Sequence, residues 1–188
     1  YDPITGQLTG ITAPDGGDLS FSYDGILLQS QTWAGSVAGQ VSWSYDNDFR
    51  VTAVAVNGGS VTFGYDNDSL LIQAGSLTLS RDPLNGLLTG TTLGNFSTGQ
   101  QFNTFGELID YTAQYNSSSN YSVNYTRDNL GRITEKTETI GGIITTFGYQ
   151  YDLAGRLEEV FENGLSVSQY IYDDNSNRTG GLNSQGTI

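Results

Sequence analysis

The chain alternates. In Phe21-Ser22-Tyr23, Val41-Ser42-Trp43-Ser44-Tyr45, Val61-Thr62-Phe63-Gly64-Tyr65, Tyr121-Ser122-Val123-Asn124-Tyr125 and Phe147-Gly148-Tyr149-Gln150-Tyr151, aromatic or β-branched residues hold one parity. Small or amide residues hold the other. Period two with β-formers predicts strands, and no stretch keeps a helical period over ten residues. These runs end at an Asp in all but one case, whose carboxylate can accept a backbone N–H two residues on in an Asx-turn. Gly6, Gly106, Gly131 and Gly155 follow where a tight turn asks for positive φ. A second strand then starts at Leu8, Val51, Leu108, Ile133 or Leu157. It runs to Asp15-Gly16-Gly17, Asn57-Gly58-Gly59, Gly141-Gly142 or Asn163-Gly164. Asn-Gly and Asp-Gly are the strongest short-range hairpin signals.

The unit recurs. Its aromatic position falls at Tyr1, Tyr23, Tyr45, Tyr65, Arg81, Phe102, Arg127, Tyr151 and Tyr172, and the next residue is Asp in eight of nine copies and Asn103 in the other. The pattern predicts a single array over residues 1–188 with about nine repeats, starting near 1, 23, 45, 65, 81, 102, 127, 151 and 172. Each repeat is two short antiparallel strands. No connection is long enough for a parallel crossover, so the expectation is one continuous meander of roughly 16 to 18 strands. Open twisted sheets rarely exceed about 10 strands without curling or splitting. The fold class is therefore all-β: a continuous antiparallel β-hairpin repeat array wound into a curved or spiral sheet, forming either a hollow wall or two packed layers. The copies from Tyr23 to Tyr65 lack the turn Gly, and distortion of the regular wall is expected there. Residues 180–188 read as a terminal strand or a linker.

Composition narrows the function. Only 36% of residues are hydrophobic, too few for one thick core but suited to a sheet with one buried face. The net charge is −13, with seven basic residues, and nucleic-acid binding needs clustered cations, so no nucleic-acid partner is expected. Cys is absent, which removes disulfides and thiolate metal sites. No apolar run reaches membrane-spanning length. His is absent too, leaving no ordinary general base, and no catalytic residue and no cofactor are assigned.

Four other chemistries are open to the residues. Asp46 with Asp48, Asp66 with Asp68, and Asp173 with Asn175 place oxygen ligands close together as Ca²⁺ candidates. In the last, Arg178 stands where a calcium loop needs Gly and Ser184 where it needs Glu, so Asx-turns are the favoured reading and no metal is assigned. Arg132 and Arg156 follow the turn Gly, and each is expected to reach an Asp of a neighbouring repeat. Trp33, Trp43 and the many Tyr residues offer surfaces to glycans, although strict alternation favours packing in the wall. Asn67, Asn95, Asn116, Asn120, Asn124 and Asn177 each open an N-glycosylation sequon, which a chain rich in Asn, Ser and Thr generates by composition.

Tyr151-Asp152-Leu153-Ala154-Gly155-Arg156-Leu157 resembles the signature of YD repeats, also called RHS repeats. Asp128-Asn129-Leu130-Gly131-Arg132-Ile133 matches it from Asp onward. Tyr1-Asp2-Pro3-Ile4-Thr5-Gly6 resembles its Asp-Pro-x-Thr-Gly variant. The resemblance covers essentially the whole chain. It implies a secreted or cell-surface protein, extracellular or on a bacterial surface, like Rhs effectors, insecticidal toxin complexes, wall-associated proteins and teneurins. In that family the repeats form a spiral sheet wound into a hollow shell, which in toxin complexes encloses a toxic domain. The expected partners are other YD repeats of the same protein, or identical subunits meeting through open sheet edges and stacking into a tube or filament. An adhesion or carbohydrate-binding module is the alternative.

Overall fold

The structure is a computed structural model that describes residues 1–14 and 16–183, together with the backbone of Gly186 and Thr187. Asp15 of the first predicted hairpin turn, Ser184 of the calcium reading and Ile188 lie outside the described residues. Two compact units divide the chain, Tyr1–Thr78 and Leu79–Ile188. The first holds β1 (Gly10–Thr12), β2 (Asp18–Asp24), β3 (Leu27–Ala34), β4 (Gly39–Tyr45), β5 (Val51–Val56), β6 (Gly59–Tyr65) and β7 (Leu71–Ala74). Next in the chain, β8 (Leu77–Arg81) runs across the division. The second unit holds β9 (Leu88–Leu93), β10 (Phe96–Phe102), β11 (Leu108–Tyr115), β12 (Ser118–Arg127) and β13 (Ile133–Ile140). It continues with β14 (Ile143–Tyr151), β15 (Leu157–Glu162), β16 (Leu165–Tyr172), β17 (Arg178–Asn183) and β18 (Gly186–Thr187). The described residues contain no helix, as the period-two pattern requires.

Within each unit every strand pairs antiparallel with its chain neighbours, from β1 with β2 to β6 with β7, and from β9 with β10 to β17 with β18. Of the stretch read as strand or linker, residues 180–183 end β17 and Gly186–Thr187 form β18. The far turns are tight because their residues accept left-handed backbone. Asn57 and Gly58 have φ of 50° and 88°, and Asn163 and Gly164 have 49° and 82°. That pairing of positive φ values is the type I′ geometry, whose twist matches the flanking strands. The Asn also links hairpins: the Oδ1 of Asn163 accepts the N–H of Thr146, and the Asn163 N–H donates to the Thr146 carbonyl. Asn57 does the same with Gln40.

Little is deeply buried. Among the described residues Val123, 3% exposed, is the one buried large hydrophobic side chain. Half-buried rows running across the strands do the packing instead. On one face Tyr111 faces Val123, and Val123 faces Glu138, in register. Such cross-strand pairs contribute about 0.2–1 kcal/mol each, and the units are held by the sum over neighbours. Two glycines let strands close up. A Cβ at Gly90 would lie 2.7 Å from the Thr98 carbonyl oxygen, and one at Gly181 would strike the Gln169 carbonyl. Gly90→Ala is expected to destabilise the second unit by about 1–3 kcal/mol, the usual range for overpacking. A drop in the urea midpoint checks it, and an unchanged midpoint shows that the strands part freely there. Gly99→Ala should do less, because its Cβ would meet only the rotatable hydroxyl of Thr112, at 2.9 Å.

Candidate functional site

The recurring feature is a node at each Tyr-Asp pair. The Asp forms the turn. Oδ1 of Asp152 accepts the Arg156 N–H at 2.9 Å, and Oδ1 of Asp128 accepts from Leu130 and Arg132 at 2.9 and 3.0 Å. The main chain closes the same turn, with the Asp152 N–H donating to the Arg156 carbonyl and the Gly155 N–H donating to the Asp152 carbonyl. Gly131 and Gly155 have φ of 80° and 82°, as the motif requires. Asp2 accepts from Ile4 and Thr5 in a turn one residue longer, with Gly6 at φ 71°, while the Tyr1 ring is 83% exposed.

The Arg expectation needs correction. Arg132 and Arg156 pair with the Asp of their own repeat, Asp128 at 2.7 Å and Asp152 at 2.6 Å, not with a neighbour's. The tight turn sets residues i and i+4 opposite one another, so the intra-repeat carboxylate is the nearer. The neighbour is reached in another way. Each guanidinium lies over the next repeat's ring: Arg50 on Tyr65 at 4.9 Å, Arg132 on Tyr151 at 4.5 Å and Arg156 on Tyr172 at 4.6 Å. Arg156 also donates to the Asp173 carbonyl and the Ser176 hydroxyl of the next turn.

The Tyr hydroxyl completes the latch. Tyr151 donates to the Ile133 carbonyl at 2.7 Å, Tyr172 to Leu157 at 2.8 Å, Tyr65 to Val51 at 2.8 Å, Tyr45 to Leu28 at 2.9 Å and Tyr23 to Leu8 at 3.0 Å. The reason lies in the register. The β15–β16 ladder starts at Glu159 with Gln169, leaving Leu157 beyond it, and the β13–β14 ladder likewise leaves Ile133. A polar backbone group at a divergence needs a partner, and the hydroxyl supplies it. A register shift sits just before the aromatic position in seven copies, from Ser22/Tyr23 to Ile171/Tyr172. Bulges bend and twist a strand and re-aim side chains.

The latch survives changes of residue. Arg127 stands where Tyr is usual, and its Nη2 donates to the Leu108 carbonyl at 3.3 Å, the equivalent acceptor. The copies at Tyr45 and Tyr65 were expected to be distorted for want of Gly. They keep the same turn, with Phe49 and Ser69 taking φ of 62° and 64°. Of the three copies without the turn Gly, the Tyr23 copy departs, with a two-residue turn in which Gly25 has φ 56°.

The calcium candidates are engaged in these turns. Asp46 accepts the N–H groups of Asp48 and Arg50, and the Arg50 guanidinium lies 2.8 Å from Asp46 and 3.5 Å from Asp48. Oδ1 of Asp66 accepts from Asp68 and Leu70. Oδ1 of Asp173 accepts the N–H groups of Asn175 and Asn177, and Oδ2 takes the Asn177 side-chain amide. Among the described residues no three acidic side chains converge as a metal group. The two Trp residues part company. The indole of Trp33 fills the space a Cβ would need at Gly39, whereas Trp43 lines an open cleft of about 440 Å³. One polar cluster has no counterpart in other copies. Tyr121 donates to Glu138 at 2.8 Å, which pushes its hydroxyl up to about 12, and Lys136 lies 3.5 Å from Glu138 and 4.3 Å over the Phe147 ring.

Repeats that fasten their successors through Tyr, Asp and Arg define a YD-repeat wall. The model of the family described as Teneurin YD-shell matches residues 1–187, and the chain belongs to that family. It is 26% identical over 192 residues to Teneurin-3 of Danio rerio and to Teneurin-4 of Homo sapiens, each alignment covering 94% of this chain and 7% of the relative. Among solved structures it is similar to a chain of the Photorhabdus luminescens Tc holotoxin pore, with a TM-score of 0.55 and 14% identity over 99% of this chain. It is also similar to a chain of the TcdB2–TccC3–Cdc42 complex, with a TM-score of 0.54 and 13% identity over 95% of this chain. This chain spans 13% of each of those chains, and the likeness is one of fold.

Proposed function

We propose that the chain is a non-catalytic wall segment of a secreted or cell-surface YD-repeat protein. In this reading it forms part of a hollow shell, or stacks end to end into an extracellular tube or filament. The observation that carries the reading is the latch: in six copies the preceding repeat supplies a carbonyl to the side chain at the aromatic position, and in three it also lays a guanidinium on that ring. Such an array has nearest-neighbour stability and grows by adding copies, as solenoids do. Exposed apolar side chains support a need for further covering: Ile4, Leu84 and Phe105, each in the turn of its repeat, are 92%, 94% and 87% exposed. The partners are therefore further YD repeats of the same protein, or identical subunits joined by strand addition at open edges. Non-closing contacts of that kind make filaments.

Electron microscopy of the purified chain at neutral pH tests stacking. Tubes or fibres are the expected result, and a field of dispersed monomers overturns the stacking form. The shell form is tested on a longer chain carrying the flanking repeats, where a particle without a lumen would sink it. Adhesion through glycans is a second reading. The observation that favours it is Trp43, which lines a cleft where Trp33 is used for packing.

A further inference from the structure

Beside the shortened turn of the Tyr23 copy lies a cleft of about 440 Å³ in the first unit, with Asp24, Leu27, Gln29, Trp43, Asn47 and Phe49 on its lining. That volume is in the range of small-ligand sites, about 300–1,000 Å³. We infer that this cleft binds a neutral saccharide, stacked on Trp43 and hydrogen-bonded by Asp24, Gln29 and Asn47; this deepens the glycan-binding reading and rests on it.

Asp24 is the first sign. Every other copy commits its Asp or Asn oxygen to backbone N–H groups of its own turn. In the two-residue turn at Gly25 that bond is not made, and among the described residues the Asp24 carboxylate makes no hydrogen bond. The same holds for the side chains of Gln29, Asn47 and Trp43. Gln29 is the residue skipped by the bulge between Ser22 and Tyr23, so it is released from the ladder beside Trp43.

Phe49 is the second sign. It occupies the turn position held by Gly106, Gly131 and Gly155 elsewhere, at φ 62°, and its ring is 71% exposed. A bulky residue in left-handed backbone is strained, and strain of this kind gathers at functional sites. Packing does not account for a ring so open. Phe49 instead gives the cleft a second apolar wall.

The lining chooses the ligand. A pyranose has an apolar face that suits an indole and hydroxyls that both donate and accept. Two side-chain amides and a carboxylate match those hydroxyls. No Arg or Lys lines the cleft, so an anion has no counter-charge there. A caged organic cation would want several carboxylates, but the other one, Asp46, is already paired with Arg50.

The test is calorimetric titration of the chain with neutral oligomers of β-1,4-linked glucose, N-acetylglucosamine and galactose, with sulfated glucose oligomers and choline as charge controls. At least one neutral oligomer should bind. Asp24→Ala and Phe49→Gly should each weaken it about tenfold or more, as loss of a central contact does. Phe49→Gly should melt at or above the parent, since glycine adopts positive φ freely, so its loss of binding cannot be unfolding. Trp33→Phe should bind as the parent does. Failure of every neutral oligomer overturns the glycan reading and this site together. Binding that Asp24→Ala and Phe49→Gly leave untouched overturns the site alone. Binding of only choline or the sulfated oligomers overturns the ligand class.

Discussion

Tyr151→Ala lowers the unfolding free energy by about 2–4 kcal/mol, while Tyr151→Phe lowers it by only about 1 kcal/mol. Three contacts set the difference. The ring is half-buried, so its truncation falls below the range for a fully buried aromatic. The Arg132 guanidinium stacks on it at 4.5 Å, a contact worth about 0.5–1 kcal/mol at an open site. The hydroxyl donates to the Ile133 carbonyl at 2.7 Å, and that bond is all that Phe removes. Urea unfolding of the chain measures both. Arg132→Ala combined with Tyr151→Ala in a double-mutant cycle should return the stacking energy as coupling. Equal effects of Phe and Ala would mean that the hydroxyl, not the ring, holds the repeats together, and zero coupling would remove the guanidinium from the latch.

The same geometry says why the motif tolerates variation. What most repeats deliver is a donor that reaches the carbonyl left beyond the inter-hairpin ladder, and Phe102 shows that a copy can stand in the wall without one. Tyr does so from a hydroxyl, and Arg127 does so from Nη2. The turn must deliver one residue with positive φ, which Gly131, Ser69 and Phe49 all supply. Hence the strands, the meander order and the turn role of every motif Asp but Asp24 were legible from alternation and spacing, because they depend on local chemistry. The partner of Arg156 was not. The choice between its own Asp152 and a neighbour's carboxylate depends on how closely the turn closes, and its seat on Tyr172 depends on a bulge that skips Glu158. Nothing in the spacing announces that bulge, although Arg at the fourth place after Asp46, Asp128 and Asp152 hinted at a shared task. Trp33 and Trp43 were equally indistinct, since both lie on alternating strands and only the empty space at Gly39 separates their uses.

Acid should unfold the repeats through the carboxylates of their turns. The Arg156 backbone N–H and then its guanidinium hold the Asp152 carboxyl below the ordinary range. For Asp46 and Asp128 partial burial works the other way, and the Arg and backbone donors outweigh it, so both are lowered as well. Asp2 is lowered by the Thr5 and Ile4 N–H groups, and Asp173 by the Asn177 amide and N–H. A carboxyl lowered in the folded state binds fewer protons there than in the unfolded chain. Its contribution is therefore complete above the unfolded value, about 3.9, and is lost as pH falls through the folded values. Stability should be flat in this respect from pH 7 to about 5 and drop steeply below about 4. The opposing effect is discharge of the −13 net charge, which relieves self-repulsion over the same range. Asp152→Asn separates the two. Asn103 shows that an amide oxygen keeps the turn bonds, accepting from Phe105 and Glu107, so the variant should fold with a titrating carboxyl removed. Its denaturation midpoint should be somewhat lower at pH 7 and fall less between pH 5 and 2 than that of the parent. Parallel curves, or a parent that gains stability on acidification, would show that charge repulsion and not the turn carboxylates governs the acid limb.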